Sequence, residues 1–150
     1  MSIDEKFMNE ALKEARKAYS EDEVPVGCVI VKDNKIIARG HNKKEKNKNA
    51  ILHAEIVTLN KAQKKLNDWH LNECTLYVTL EPCLMCTGAI IQTRIKKVVF
   101  GCNDPKGGAI ESSLKIQEIK NLNHSFEILS KVCEKECSMI LKNYFKSKRN

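Results

Sequence analysis

Residues 75–100 read TLYVTLEPCLMCTGAIIQTRIKKVVF, and this stretch decides the fold. Its first five residues, TLYVT, are short, apolar and rich in β-branched and aromatic side chains, so 75–79 reads as a buried strand. Pro82 suits the opening of a helix, which the pattern carries over residues 83–92. Residues 97–100 (KVVF) form a second buried strand. A short helix between two apolar strands implies a parallel pair joined by a right-handed crossover. Strands of that kind are covered on both faces, so helices are needed on either side of the sheet.

The flanking sequence supplies them. Ser2 and Glu5 have capping-box spacing, and Phe7, Met8, Ala11, Leu12, Ala15, Ala18 and Tyr19 recur at three and four residues. An amphipathic helix over Ile3–Ser20 follows. Residues 24–31 are a near-continuous apolar run, 32–35 (KDNK) a turn and 36–38 the returning strand, which makes a hairpin with a buried face. An Asn/Lys-rich loop over 42–49 precedes a helical pattern over 53–66. Downstream of the crossover, 101–108 is a turn-rich loop, 114–119 reads as helical, 126–129 as a last strand and 132–145 as a closing helix. The order αββαβαβ(α)βα describes an α/β chain with a mixed central sheet sandwiched between helix layers.

A chain of 150 residues suits one domain, 1–150, with one sizeable core. With 42% hydrophobic and 30% charged residues, 6 Gly and 3 Pro, collagen-like, low-complexity and wholly disordered chains are excluded. No apolar run reaches the roughly 18 residues of a membrane span, and Asp4 and Glu5 stand where a secretory leader would be basic, so a cytoplasmic location is expected. In that setting the 7 Cys read as ligands, nucleophiles or packing residues before disulfide partners. The net charge of +7 favours a polyanionic partner without establishing one.

The chemistry-bearing pattern has two halves, His53-Ala54-Glu55 at one helix start and Pro82-Cys83-Leu84-Met85-Cys86 at another. Two thiolates and an imidazole are good zinc ligands, and cysteines three apart at a helix start share one face near the positive end of the helix dipole. Three protein ligands leave a tetrahedral ion one open position, the arrangement of a catalytic site, and Glu55 is then close enough to handle the proton of a bound water. His53 and Glu55 are two apart, so His53 is expected at or before the first turn. Three other readings compete. CxxC between a strand and a helix also serves redox chemistry. A closed structural zinc site would need a fourth ligand from Cys74, Cys102, His41 or His70. Alternatively, His53 and the cysteines are only core residues. The first two leave the HAE segment unexplained.

The HxE and PCxxC signatures resemble those of the zinc-dependent nucleoside and nucleobase deaminases. The similarity extends to Val24-Pro25-Val26-Gly27, His41-Asn42, HAEI at 53–56, TLYVTLEPCLMC at 75–86, RIKKVVFG at 94–101 and DPKGG at 104–108, where the chain looks like the bacterial tRNA adenosine deaminases. The resemblance implies a three-layer α/β/α cytidine-deaminase-like fold with about five strands, one zinc ion per chain, a homodimer and a tRNA anticodon as partner. It further implies that zinc held by His53, Cys83 and Cys86 supplies hydroxide to C6 of adenine. Glu55 moves the proton to N1 and then to the departing amino group. Backbone N–H groups at Ala54 and Cys83 orient the attacking oxygen. Asn42 holds the flipped base and ribose, Val26 walls the pocket, Asp104 and Lys106 line the path of neighbouring nucleotides, and the C-terminal helix brings Phe145 and Arg149 to the RNA. Ile51, Leu52, Cys102 and Ile110 depart from the family pattern.

Basic clusters at Lys43, Lys44, Lys46 and Lys48, at Lys61, Lys64 and Lys65, and at Lys142, Lys146, Lys148 and Arg149 favour an RNA substrate, and Tyr144-Phe145 offers a stacking surface beside the last of them. Conversion of adenosine to inosine at the wobble position of a tRNA, that of an arginine tRNA with anticodon ACG, is therefore the expected activity. The rivals are a deaminase of free cytosine, guanine or a nucleoside, and a non-catalytic zinc-stabilised RNA-binding module.

Overall fold

A computed structural model describes residues 1–149. The first helix, α1 (Ile3–Ser20), starts on the capping box: the Ser2 hydroxyl accepts from Glu5 N–H, and the Glu5 carboxylate accepts from Ser2 N–H at 2.9 Å. Strands β1 (Gly27–Lys32) and β2 (Lys35–His41) form the hairpin. Its two turn residues, Asp33 and Asn34, both have positive φ (51° and 60°), as the tight turn of a twisted hairpin demands. Helix α2 (Ala54–Leu66), strand β3 (Thr75–Leu80), helix α3 (Leu84–Gln92) and strand β4 (Lys97–Cys102) follow. A short β5 (Glu127–Leu129) and α4 (Glu134–Lys148) complete the order.

The five strands lie in the order β2-β1-β3-β4-β5, antiparallel on the β2 side and parallel from β3 to β5, so the sheet is mixed as the sequence suggests. Cys28, Ile30, Leu76, Val78, Val98 and Phe100 face one layer, packing with Ala54, Leu59 and Ala62 of α2 and Ile90 of α3. Val29, Val31, Tyr77 and Val99 alternate to the other face, against Phe7, Met8, Ala11 and Leu12 of α1 and Cys137 of α4. This period-two division of three neighbouring strands creates the α/β/α layers. Helix α1 sits so close to the sheet that a Cβ on Gly27 would lie 2.0 Å from the Ala11 carbonyl oxygen.

The structure moves several expected boundaries. Helix α3 begins at Leu84, because Cys83 takes the extended N-cap conformation and Pro82 lies outside. Only one 3₁₀ turn, Ile116–Glu118, forms in the expected helix over 114–119. Helix α4 starts at Glu134, since Cys133 sits in the left-handed region with φ 55°, and it runs on to Lys148. No helix of the described residues is long and apolar enough to cross a membrane.

Candidate active site

The end of β2, the start of β1, the carboxyl ends of β3 and β4 and the N-termini of α2 and α3 meet at one end of the sheet, the usual place for a ligand in an open α/β sheet. His53 and Cys83 are the N-cap residues of α2 and α3, each with extended backbone and no side-chain capping bond, so both side chains are free to turn toward the gap. Cys86 lies in the first turn of α3. The sequence expectation that His53 stands at the very start of its helix is met.

His53 Nδ1 lies 3.6 Å from Cys83 Sγ and 3.6 Å from Cys86 Sγ. A tetrahedral ion with Zn–S of about 2.3 Å and Zn–N of about 2.0 Å requires N···S separations of about 3.5 Å, so the donors present fit zinc. This is the one group of three or more potential ligand residues found among the described residues, and neither His41, His70, Cys74 nor Cys102 belongs to it. His41 is instead buried between Glu14 (3.1 Å) and Glu21 (3.0 Å), and His70 pairs with Asp68. The closed four-ligand reading therefore lacks its fourth ligand, and three donors leave a position for water or substrate.

Electrostatics agree with a cation site. The Cys83 thiol is drawn down to about 4, chiefly by the hydrogen bond with Cys86 and against its burial, with His53 adding to the effect. Cys86 is pushed up by the same bond to Cys83 and by burial. The pair thus shares one proton, and a cation held by both sulfurs would take that proton's place. Glu55, one residue inside α2 and almost fully buried, is raised to about 7, first by desolvation and then by the Cys83 charge. A carboxyl so placed exchanges a proton near neutral pH.

A cleft of about 230 Å³ opens over these groups, lined among others by Val26, Asn42, Lys44, His53, Ala54, Glu55, Cys83 and Asp104. Asn42 follows β2, held by its N–H to the Val26 carbonyl at 3.2 Å, and its Oδ1 is buried without a hydrogen-bond partner. Such an acceptor costs about 1–3 kcal/mol in a folded protein, so its position in a cleft marks a place for a donor from outside. Asp104 folds its own loop, accepting from Lys106 and Gly107 N–H at 3.2 and 3.1 Å. Lys106 is exposed on the crest of that loop and does not line the cleft. Phe145 and Arg149 lie away from the cleft, in a broader groove shared with Asn103, Pro105, Lys142 and Lys146. The 103–105 loop separates the two, with Asp104 in one and its neighbours in the other. Phe145 is 45% exposed, whereas Tyr144 is buried and donates to the Asp22 carbonyl.

Two further residues shape the site and escape sequence reading. Glu23, fully buried, accepts from Glu45 and Lys46 N–H at 3.0 and 2.7 Å and so roots the basic 42–49 loop. Glu81, between β3 and Cys83, does the same for the 103–112 loop. Glu23 is held by backbone groups alone and Glu81 mostly by them, and backbone groups leave no mark on a sequence.

The chain matches the MafB19-like deaminase family over residues 2–149. It is 46% identical to the tRNA-specific adenosine deaminase of Bacillus subtilis over 149 residues, 99% of this chain and 92% of that protein. With the tRNA-specific adenosine deaminase of Aquifex aeolicus it shares 42% identity over 97% of this chain and 96% of that one. Among solved structures it resembles one from a study of A-to-I editing by tRNA:A34 deaminases at the wobble position, with a TM-score of 0.88, 41% identity and coverage of 91% of this chain and 99% of that one. A guanine deaminase from Bacillus subtilis is 38% identical with a TM-score of 0.63, over 66% of this chain and 64% of that one.

Proposed function

The chain belongs to the MafB19-like deaminase family and to the tRNA-specific adenosine deaminases, and from that premise we infer that it hydrolyses adenosine to inosine at the wobble position of a tRNA anticodon. The arginine tRNA with anticodon ACG is the substrate in this reading. The observation that carries it is the convergence, in one cleft, of the metal-fitting His53, Cys83 and Cys86, the desolvated Glu55 and the unpartnered Asn42 Oδ1.

Zinc, one ion per chain, supplies when bound the Lewis acidity that lets water ionise near pH 7 instead of about 15.7. Glu55 accepts one proton as the water oxygen bonds to C6 and passes it to N1; it then takes the remaining proton from that oxygen and delivers it to the amino nitrogen as the C6–N6 bond breaks and the C6 carbonyl forms, leaving inosine and ammonia. The N–H groups of Ala54 and Cys83 orient the oxygen. Asn42 accepts from the flipped base and its ribose, and Val26 forms the apolar wall. Asp104 and Lys106 guide the neighbouring nucleotides, while Phe145 and Arg149 engage the anticodon loop from the adjoining groove. Lys44 at the cleft and Lys142, Lys146 and Arg149 at the groove give both openings the positive charge that an RNA backbone seeks.

The same reading treats residues 1–150 as one deaminase domain, working in the cytoplasm as a homodimer. Leu84 (60% exposed) at the start of α3 and Ile51 (55%) near His53 are apolar side chains that a second copy would cover.

The guanine deaminase likeness favours a second reading, a deaminase of free purine bases. Zinc-loaded protein incubated separately with an ACG anticodon stem-loop, adenosine, guanine and cytidine distinguishes them. Inosine and ammonia from the stem-loop alone are expected. Xanthine from guanine, or uridine from cytidine, with an untouched stem-loop would replace the proposal, and RNA binding without ammonia would make the chain a non-catalytic module.

A further inference from the structure

Glu81 is 2% exposed, yet no cation pairs with it among the described residues. Its charge is held wholly by dipoles. Oε1 accepts from Asn103 Nδ2 (3.1 Å), Asp104 N–H (3.1 Å) and the Ser112 hydroxyl. Oε2 accepts from the N–H groups of Ile110 (3.1 Å), Glu111 (2.8 Å) and Ser112 (3.1 Å). Six donors from five residues converge on one carboxylate, and all five residues lie in the 103–112 loop that shapes the cleft. That loop has no regular secondary structure of its own beyond a single bridge between Gly108 and Cys83.

The loop also lies directly on the carboxylate. A Cβ at Gly108 would stand 2.3 Å from the Glu81 carboxyl carbon and 2.4 Å from Oε1, so any side chain there would push the carboxylate off its donors. The donors and this close approach are independent signs that the loop is shaped around an anion at position 81. Because Asp104 lines the cleft while Asn103 and Pro105 line the Phe145 groove, whatever fixes this loop fixes the partition between the two surfaces.

We propose that Glu81 is a positioning residue for substrate: by gathering the N–H groups of Asp104, Ile110, Glu111 and Ser112 it sets the rim between the cleft and the Phe145 groove, and thereby the affinity for RNA. The proposal deepens the tRNA adenosine deaminase reading and rests on it. Glu81 borders the cleft, but both of its oxygens are taken up by donors of the loop, and it acts through that loop.

The test is Glu81→Gln in the zinc-loaded protein. Gln keeps one accepting oxygen, but its amide NH₂ confronts N–H donors that had a carboxylate oxygen, so about half the cluster is lost without a change of volume. Zinc content should stay at the wild-type value. Amide exchange at 104 and 110–112 should accelerate by at least about tenfold while that of β3 and α3 stays unchanged. KM for the stem-loop should rise at least about tenfold with kcat within about threefold, the signature of lost binding and not of lost chemistry. Asn103→Ala/Ser112→Ala, which removes side-chain donors and leaves Glu81 in place, should move the same quantities less, and it decides the matter if Glu81→Gln does not fold. Wild-type exchange in the loop, an unchanged KM, or a fall in kcat alone would overturn the proposal. If the wild-type protein leaves the stem-loop untouched, the functional reading fails, and loop exchange at constant zinc content still decides whether Glu81 organises the rim.

Discussion

Replacing Asn42 by Ala should separate stability from activity with opposite signs. The Asn42 side chain is 93% buried by the residue's 7% exposure, and its Oδ1 has no partner. An unsatisfied buried acceptor costs about 1–3 kcal/mol, and the truncation removes that cost. Because the side chain borders an open cleft, water fills the space and the cavity penalty of a sealed core is avoided. The net effect is a protein as stable as wild type or up to about 2 kcal/mol more stable. With an unfolding entropy of about 2.1 cal/mol/K per residue, a chain of 150 residues has about 0.3 kcal/mol/K, so the melting temperature should rise by between zero and about 6 °C. Turnover goes the other way. A base donor left without its acceptor in the transition state forfeits about 1–3 kcal/mol, a fall of about 5- to 150-fold in kcat/KM. Asn42→Asp serves as the contrast, because one more carboxyl in a cleft already lined by Glu55 and Asp104 should lower stability. The assays are thermal unfolding of zinc-loaded protein and steady-state deamination of the stem-loop. A destabilised Asn42→Ala protein with undiminished kcat/KM would refute the reasoning and make Asn42 a structural residue.

Glu55→Gln should retain zinc and RNA affinity while losing about 10² to 10⁴ in single-turnover rate, and loss of metal would make Glu55 a ligand instead. Phe145→Ala, at an exposed position, should melt like wild type but bind the stem-loop more weakly by about 1–3 kcal/mol, whereas Tyr144→Ala, removing a buried ring, should lower stability; the reverse pattern in melting and titration would remove Phe145 from the RNA surface. Burial acts to raise Glu14, but hydrogen bonds from Lys17 and His41 outweigh it and hold the carboxyl below its ordinary 4.5. A depressed folded value means stability present above 4.5 and lost as pH falls through the folded pKa, so the deficit of Glu14→Gln in denaturant titrations should be full at neutral pH and shrink in acid. A deficit that stays constant with pH would mean that Glu14 contributes by packing.

What the sequence disclosed is what rests on local rules. Helix α1 is legible to the residue because a capping box begins it and apolar positions recur on one face. The central strands are legible as apolar runs because sheets covered on both faces have no polar alternation to blur them. The clustering of His53, Cys83 and Cys86 is legible because their spacing reflects two helix starts. The order β2-β1-β3-β4-β5 is different, since it is a fact about distant pairings with no local signature. The start of α4 was displaced by a single residue, Cys133, in a conformation that its chemistry does not announce. Glu23 and Glu81 were invisible for the most general reason: a carboxylate that binds backbone N–H groups needs no particular side chain opposite it.

These two glutamates also explain how the site can hold groups that weaken the fold. Glu55 is desolvated and Asn42 Oδ1 is unpaired, and both conditions oppose folding; in the proposed reaction they serve a proton and a substrate donor. Neither would keep its position on loops free to relax, because a mobile loop would turn Asn42 to solvent or let water reach Glu55. The 42–49 loop beside Asn42 is fixed through Glu23, and the 103–112 loop across the cleft through Glu81, each by hydrogen bonds to a buried anion that are stronger than neutral ones. Satisfied carboxylates at the roots of both rims thus permit unsatisfied groups at the centre. The division predicts a sign for each class of variant: changes at the centre that remove an unsatisfied group spare or raise stability and lower turnover, whereas changes at the roots loosen the rim and weaken substrate binding first.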